Sequence, residues 1–253
     1  ATELDISGNA DIDGTLETDA ITLNGSAFIK VAGTDFTGGL LVGHATSGTL
    51  NDAQKNTGVG LAALDALTSG DQNTAVGNEA GTGITTGLRN VAVGDDALKD
   101  LSTNSFNTAV GATAGENTTG QRNTYLGFAA GDNITSGSGN VIIGSTVDAA
   151  SATGSRQLVI AGIDASTTTT WISGDSSGNL TFAADVTLGD DLLLDSDASV
   201  LKFGDDGEVT LTHVHNDGLL LNTDMQLQFR DSAINIRSDA DGDLDINADD
   251  EVE

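Results

Sequence analysis

Two of the three histidines in this 253-residue chain, His213 and His215, stand either side of Val214. In an extended strand alternate side chains project to one face, so both imidazoles point the same way. Where three such chains meet with that face on the axis, six imidazoles surround one point, a donor set that suits iron, nickel or zinc. The competing reading buries Val214 and leaves both histidines solvated. His44 stands alone and reads as a surface residue. A second constellation is acidic: Asp239, Asp241, Asp243 and Asp245 alternate around Gly242 and offer the oxygen donors calcium takes. They lack the glycine and glutamate placement of an EF-hand loop and read instead as a solvated, self-repelling strand edge. No cofactor is therefore expected beyond an axial metal at the histidine pair.

Catalytic constellations are not found. Carboxylates are so numerous that any pair is uninformative, and one Trp and one Tyr are thin material for the sugar subsites of a glycan-cleaving enzyme. Cys is absent, which removes thiolate zinc sites, Cys nucleophiles and disulfides. No Gly-X-Ser-X-Gly elbow, phosphate loop or dinucleotide fingerprint stands in a fitting context. The expectation is a protein that is not an enzyme.

The elements that position these side chains come from a repeat. Asn-Thr-Gly-Val-Gly starts at Asn56, and related strings start at Asn73, Asn90, Asn107, Asn123 and Asn140. Degenerate copies begin at Gly39 and Gln157, so about eight units follow one another at 17 residues, with one step of 16. The fourth position of each is aliphatic, as in Val59, Val76, Val93, Val110, Leu126 and Ile143, and the fifth is glycine up to Gly144. Short β-rich alternation ending in glycine predicts a strand and a sharp corner. Seventeen residues suit one coil of a β-solenoid, in which equivalent residues stack at about 4.8 Å per rung. The fourth slot then makes an apolar column, and the Asn column makes a side-chain hydrogen-bond ladder.

The residue before each Asn is Lys55, Gln72, Arg89, Phe106, Arg122, Gly139 and Arg156. Cations on alternate rungs lie about 10 Å apart, near a Debye length, which limits their repulsion. They are expected to pair with carboxylates, within the chain or across a subunit boundary; a site for a sulfated or acidic glycan is the alternative.

With 38 acidic against 9 basic side chains the net charge is −29, which disfavours nucleic acid as a partner. No apolar run is long enough to span a membrane as a helix, and Ala1 to Gly8 shows no signal-peptide pattern. From residue 157 onward 21 acids face three bases, so most of the charge sits there. Aromatic residues make up only 4%. Val and Ala columns in a thin coil bury little, so association into a parallel homotrimer is expected. The chain divides into an N-terminal β segment (1–36), the solenoid (37–162), a Ser/Thr/Gly-rich junction (163–180) with Trp171 as a packing plug, and an acidic C-terminal β segment (181–253).

The Asn-Thr-Ala-Val-Gly repeats resemble those of phage tail-fibre proteins, and are similar to the Val-Ala-Ile-Gly repeats of trimeric autotransporter adhesin heads, which repeat at a shorter period. Leu4 to Leu16, Gly178 to Phe182 and Leu201 to Glu253 resemble fibre-shaft segments of marine phages, and His213-Val214-His215 is similar to the His-X-His metal sites of phage receptor-binding threads. The resemblance implies an all-β, elongated homotrimeric β-solenoid or β-roll flanked by shaft segments. It implies a virion tail fibre for host attachment, with other virion or fibre proteins and a host surface glycan or protein receptor as partners, and no membrane insertion. The alternatives are a bacterial surface adhesin head, extracellular or at the cell surface, and a polysaccharide-depolymerising tailspike.

Overall fold

The structure is a computed structural model; it describes residues 20–23, 26–33, 36–42, 49–196, 199–203, 209–216, 218–221, 227–229, 231–238 and 244–247. Among these residues the protein is all-β with no helix. It forms two compact units, Ala1–Val186 and Thr187–Glu253.

The first unit is one twelve-stranded sheet whose spatial order follows the chain. An antiparallel cap, β1 (Ala20–Leu23), β2 (Ser26–Gly33) and β3 (Phe36–Val42), leads into the ladder. Its rungs are β4 (Thr57–Val59), β5 (Thr74–Val76), β6 (Val91–Val93), β7 (Thr108–Val110), β8 (Thr124–Leu126) and β9 (Val141–Ile143). They run on into β10 (Leu158–Asp164). Every neighbouring pair from β3 to β10 is parallel and in register, each residue facing its equivalent one repeat away: Thr57 on Thr74, Ala75 on Ala92, Val93 on Val110. This is a β-solenoid of about seven turns. β11 (Thr167–Gly174) and β12 (Leu180–Phe182) then fold back antiparallel on β10. The Ser/Thr/Gly-rich stretch is thus an extension of the same sheet. Both ends of the parallel ladder finish in antiparallel strands, which occupy edges that would otherwise offer unpaired backbone groups.

The corner after each rung needs glycine for two reasons at once. Gly94 has φ +137°, outside the range of other residues, and a Cβ there would run into the carbonyl of Gly111 in the next coil. The same holds from Gly60 to Gly144. The glycine column is therefore a close backbone approach as well as a turn.

The core lies inside the coil, and here the structure corrects the expected burial. The buried strand residue is the third slot, Ala75, Ala92, Ala109, Tyr125 and Ile142, which faces Ala63, Ala80, Ala97, Ala114 and Ala130 and the larger Leu67, Ile84, Leu101 and Ile134. The fourth-slot aliphatics point outward: Val59, Val76 and Val110 are 36–38% exposed and Leu126 is 48% exposed. The reason is volume. One coil has room for small residues where two sides approach, and the leucine and isoleucine column further along the coil fills the rest, so the bulky slot is turned out. The coil consequently has a core of its own, more than the Val and Ala columns alone suggested.

Tyr125 is the one large ring carried by a rung of the ladder; the other ring of the described core, Phe36, enters from β3 at its start. Tyr125 fits because the opposing column is glycine on both sides, Gly115 and Gly131, where a Cβ would collide with the ring. Its hydroxyl lies 3.0 Å from that of Thr118, a buried threonine standing where the neighbouring coils carry Leu101 and Ile134. Burial pushes the Tyr125 phenol up from its ordinary pKa. Trp171, expected as a plug, instead lays its ring over Gly162 and remains 56% exposed.

The second unit holds two antiparallel meanders. β13 (Val200–Phe203), β14 (Val209–Val214) and β15 (Gly218–Leu221) form one, and β16 (Leu227–Phe229), β17 (Asp231–Ser238) and β18 (Leu244–Asn247) the other. Its described apolar side chains are largely uncovered, Leu193 at 81% and Leu219 at 71%.

Candidate functional site

The Asn column runs through the solenoid with every member fully buried. Each side-chain oxygen accepts the backbone N–H of the equivalent residue in the next coil: Asn56 from Asn73, Asn73 from Asn90, Asn90 from Asn107, at 2.9 Å each. Asn107, Asn123 and Asn140 continue the series, the last accepting from Gln157. Each side-chain amide also donates across its own coil, as from Asn73 to the Gly87 carbonyl at 2.8 Å. The column's side-chain oxygens and amides are thus buried and bonded to backbone and neighbouring amides, which makes it a staple of the fold.

The slot before the Asn behaves differently. Lys55, Gln72, Arg89, Phe106, Arg122 and Arg156 all have φ between 55° and 66°, the left-handed region, and all are exposed. This conformation ends one side of the coil and turns the side chain away from the core. The Phe106 ring lies between two guanidinium groups, 5.7 Å from Arg89 and 5.3 Å from Arg122. Arg89 Nε also donates to Gln72 Oε1 at 2.9 Å. None of these cations makes an ion pair among the described residues. Among the described residues, the expected pairing with carboxylates of the same chain is therefore not found. Glu79, Asp95, Asp96, Asp100, Glu116 and Asp132 follow the strand-ending glycines, across a rung about 16 Å long by strand rise, beyond a Debye length, while Asp52 and Asp71, on the near side, accept hydrogen bonds from Gln54.

The ion pairs that do form belong to that opposite edge. Lys99 reaches Glu79 at 2.7 Å and Asp96 at 3.0 Å, and its hydrogen bonds to Glu79 and then Asp96 raise its pKa. Nearby, burial holds the Asp132 carboxyl above the usual range, reinforced by a hydrogen bond with Asp148 and by the charges of Asp148 and Glu116.

In the second unit, His213 lies near the end of β14 and lines a cavity of about 480 Å³ together with Leu192, Leu201, Leu211 and Leu219. His215 falls beyond the strand, in the turn before β15, with Asn216 at φ 63°. The common face that alternation predicts for the two imidazoles requires the strand to continue one residue further than it does. Among the described residues no group of three or more metal-ligating side chains comes together. His44, Asp239, Asp241 and Asp243 lie outside the described residues, and Asp245 falls within β18.

The Arg–Phe–Arg stack is foreshadowed by three residues sharing a slot in successive copies, and the left-handed backbone turns that slot outward. The site of interest is thus an exposed cationic and aromatic line on a β-solenoid. No protein-family model, curated protein or solved structure matches this chain. Among the described residues no helix is long and apolar enough to cross a membrane.

Proposed function

We propose that this chain is a segment of a homotrimeric virion fibre of the phage tail-fibre kind, a rod that displays a host-binding surface for attachment. The observation that carries the reading is the outer face of the ladder. From β4 to β9 it presents Thr or Val in the second slot and Val, Leu or Ile in the fourth, without one charged side chain, on a chain of net charge −29. A monomer rarely exposes a contiguous apolar face of this kind. Three copies brought together on that face bury it, while the charged corners stay in water. The exposed leucines of the second unit supply the same motive for association, and an axial position for His213 follows only if the three chains meet there.

Light scattering tests the assembly: three chains of 25.4 kDa are expected, and a monodisperse species at the mass of one chain refutes it. Placing a charge on the outer face, as in Val76→Glu with Val110→Glu, is expected to yield monomers that keep the β-type circular dichroism. Release of oligosaccharide from host capsule or lipopolysaccharide, abolished by a single Asp substitution, would show a depolymerase and overturn the fibre reading.

A further inference from the structure

We infer that the left-handed corner of the solenoid is a binding site for a linear polyanionic glycan, lying along the axis and contacting Arg89, Phe106, Arg122 and Arg156. This deepens the attachment role proposed above and rests on it for its biological setting, though the site itself is complete in one chain.

Three observations carry it. First, the cations are regularly spaced and unneutralised. Lys55, Arg89, Arg122 and Arg156 occupy every second rung, about 10 Å apart by rung spacing, and none has a carboxylate partner among the described residues. Two acids stand near this line in the sequence, Asp52 and Asp71, and both carboxylates already accept from Gln54, Asp52 from its side-chain amide at 2.8 Å and Asp71 from its backbone N–H at 2.6 Å. Glu79, Asp95, Asp96, Asp100, Glu116 and Asp132 follow the strand-ending glycines, on the far edge. A strongly acidic chain has thus placed four of its nine basic side chains in one line.

Second, the line contains an aromatic platform. Phe106 is 41% exposed between two guanidinium groups, an arrangement that holds both cations in place and leaves ring and charge open to solvent together. A pyranose stacks its C–H face on such a ring while its carboxylate or sulfate meets the flanking guanidinium, which binds such anions in a fork.

Third, the residue types run against backbone preference. A left-handed position is cheapest with Gly or Asn, and in this slot the solenoid uses glycine at Gly38 and Gly139 only. The coil accepts the same conformation on its other corner, at Ala62, Glu79, Asp96, Thr113 and Ala129, so what sets this slot apart is that it places cationic and aromatic side chains on that strained backbone. The ligand that matches is an extended glycan with one anionic group per disaccharide, a repeat close to two rungs. Free duplex or single-stranded nucleic acid carries charge too densely for this spacing, and meets the repulsion of the whole chain.

The test uses the full chain and three probes by isothermal titration: a hyaluronan oligosaccharide, with one carboxylate per disaccharide, a chondroitin sulfate oligosaccharide, which adds a sulfate to such a repeat, and neutral dextran. The anionic probes are expected to bind, more weakly as salt rises, and dextran not to bind; comparison of the two anionic arms tells sulfate from carboxylate preference. Arg89→Gln with Arg122→Gln should weaken binding roughly tenfold or more, and Phe106→Ser should weaken it without changing its salt dependence. Lys99→Gln, on the opposite edge, should leave it unchanged. Circular dichroism of each variant checks that the fold is kept. Absence of binding to both anionic probes overturns the inference, as does equal affinity in the Arg89→Gln, Arg122→Gln variant, or equally tight binding of a single-stranded DNA of matched charge. If that variant instead dissociates the assembly, the arginines pair across subunits and the glycan reading falls. A monomeric wild-type chain that still binds the glycan would sink the fibre reading alone.

Discussion

Replacing Asn90 by Ala removes four hydrogen bonds from the middle of the ladder. Its side-chain oxygen accepts the Asn107 backbone N–H at 2.9 Å and the Asn107 amide at 3.3 Å; its own amide donates to Asn73 at 3.1 Å and to the Asn104 carbonyl at 3.1 Å. Two of the partners keep a substitute. The Asn107 amide still reaches the Gly120 carbonyl at 3.1 Å, and the Asn73 oxygen still accepts the Asn90 N–H at 2.9 Å. Two are orphaned: the buried Asn107 N–H, and the Asn104 carbonyl. An unmet buried backbone group costs about 1–3 kcal/mol, so the sum with the small cavity is about 3 kcal/mol. That is a large share of the 5–15 kcal/mol typical of a folded domain. For a chain of this length it lowers Tm by roughly 6–12 °C. Thermal and urea unfolding followed by far-UV circular dichroism, at one fixed protein concentration, reads it out. Asn78→Ala is the control. Asn78 makes a 2.9 Å bond to Asp95 one coil away, but on the exposed edge, and its loss is expected to cost less than about 0.5 kcal/mol. An Asn90→Ala protein within about 0.5 kcal/mol of the parent, or an Asn78→Ala protein equally damaged, would show that burial of the column is not what holds the coils in register.

Gly94→Ala combines φ +137° with a Cβ driven into the next coil's backbone, and should cost about 3 kcal/mol or more or prevent folding, seen as loss of the urea transition. Tyr125→Phe strands the buried Thr118 hydroxyl and is expected to cost about 1–2 kcal/mol, whereas Tyr125→Ala leaves a ring-sized hole and should cost about 3–5 kcal/mol; equal losses in the two variants would refute the packing account. Asp132 has a folded pKa above its unfolded value, so its ionisation opposes folding. The penalty is absent below the unfolded pKa and complete once pH has risen through the folded pKa. Asp132→Asn should therefore gain Tm relative to the parent as pH rises through that acid window, and a parallel pair of Tm–pH curves would contradict this.

The period, the rungs and the glycine corners are legible in the sequence because each is a local requirement stated again every 17 residues. An Asn in the same slot of six successive copies has one inexpensive arrangement, a ladder, and a glycine after each short β run has one geometric use. The direction of the strands is another matter. Thr-Ala-Val alternates between two small or aliphatic faces, so period two permits either hand. Only the closed coil decides that Ala75 goes in and Val76 out, because its interior is already occupied by Leu67 and Ile84 and has no space for a second bulky column.

The same division runs through the sites. Sequence alone placed the cations on alternate rungs; the left-handed backbone at Arg89, Phe106 and Arg122 turned them outward and away from the acids, and so made a stacked line where ion pairs were expected. It placed His213 and His215 two apart, but where the strand ends depends on the hairpin joining β14 to β15, and that hairpin puts His215 in the turn. Repetition in a sequence specifies what stacks on what, since that needs only equal spacing. Inside and outside, and which charges meet, depend on how the coil closes, a property of the whole turn that no single slot contains.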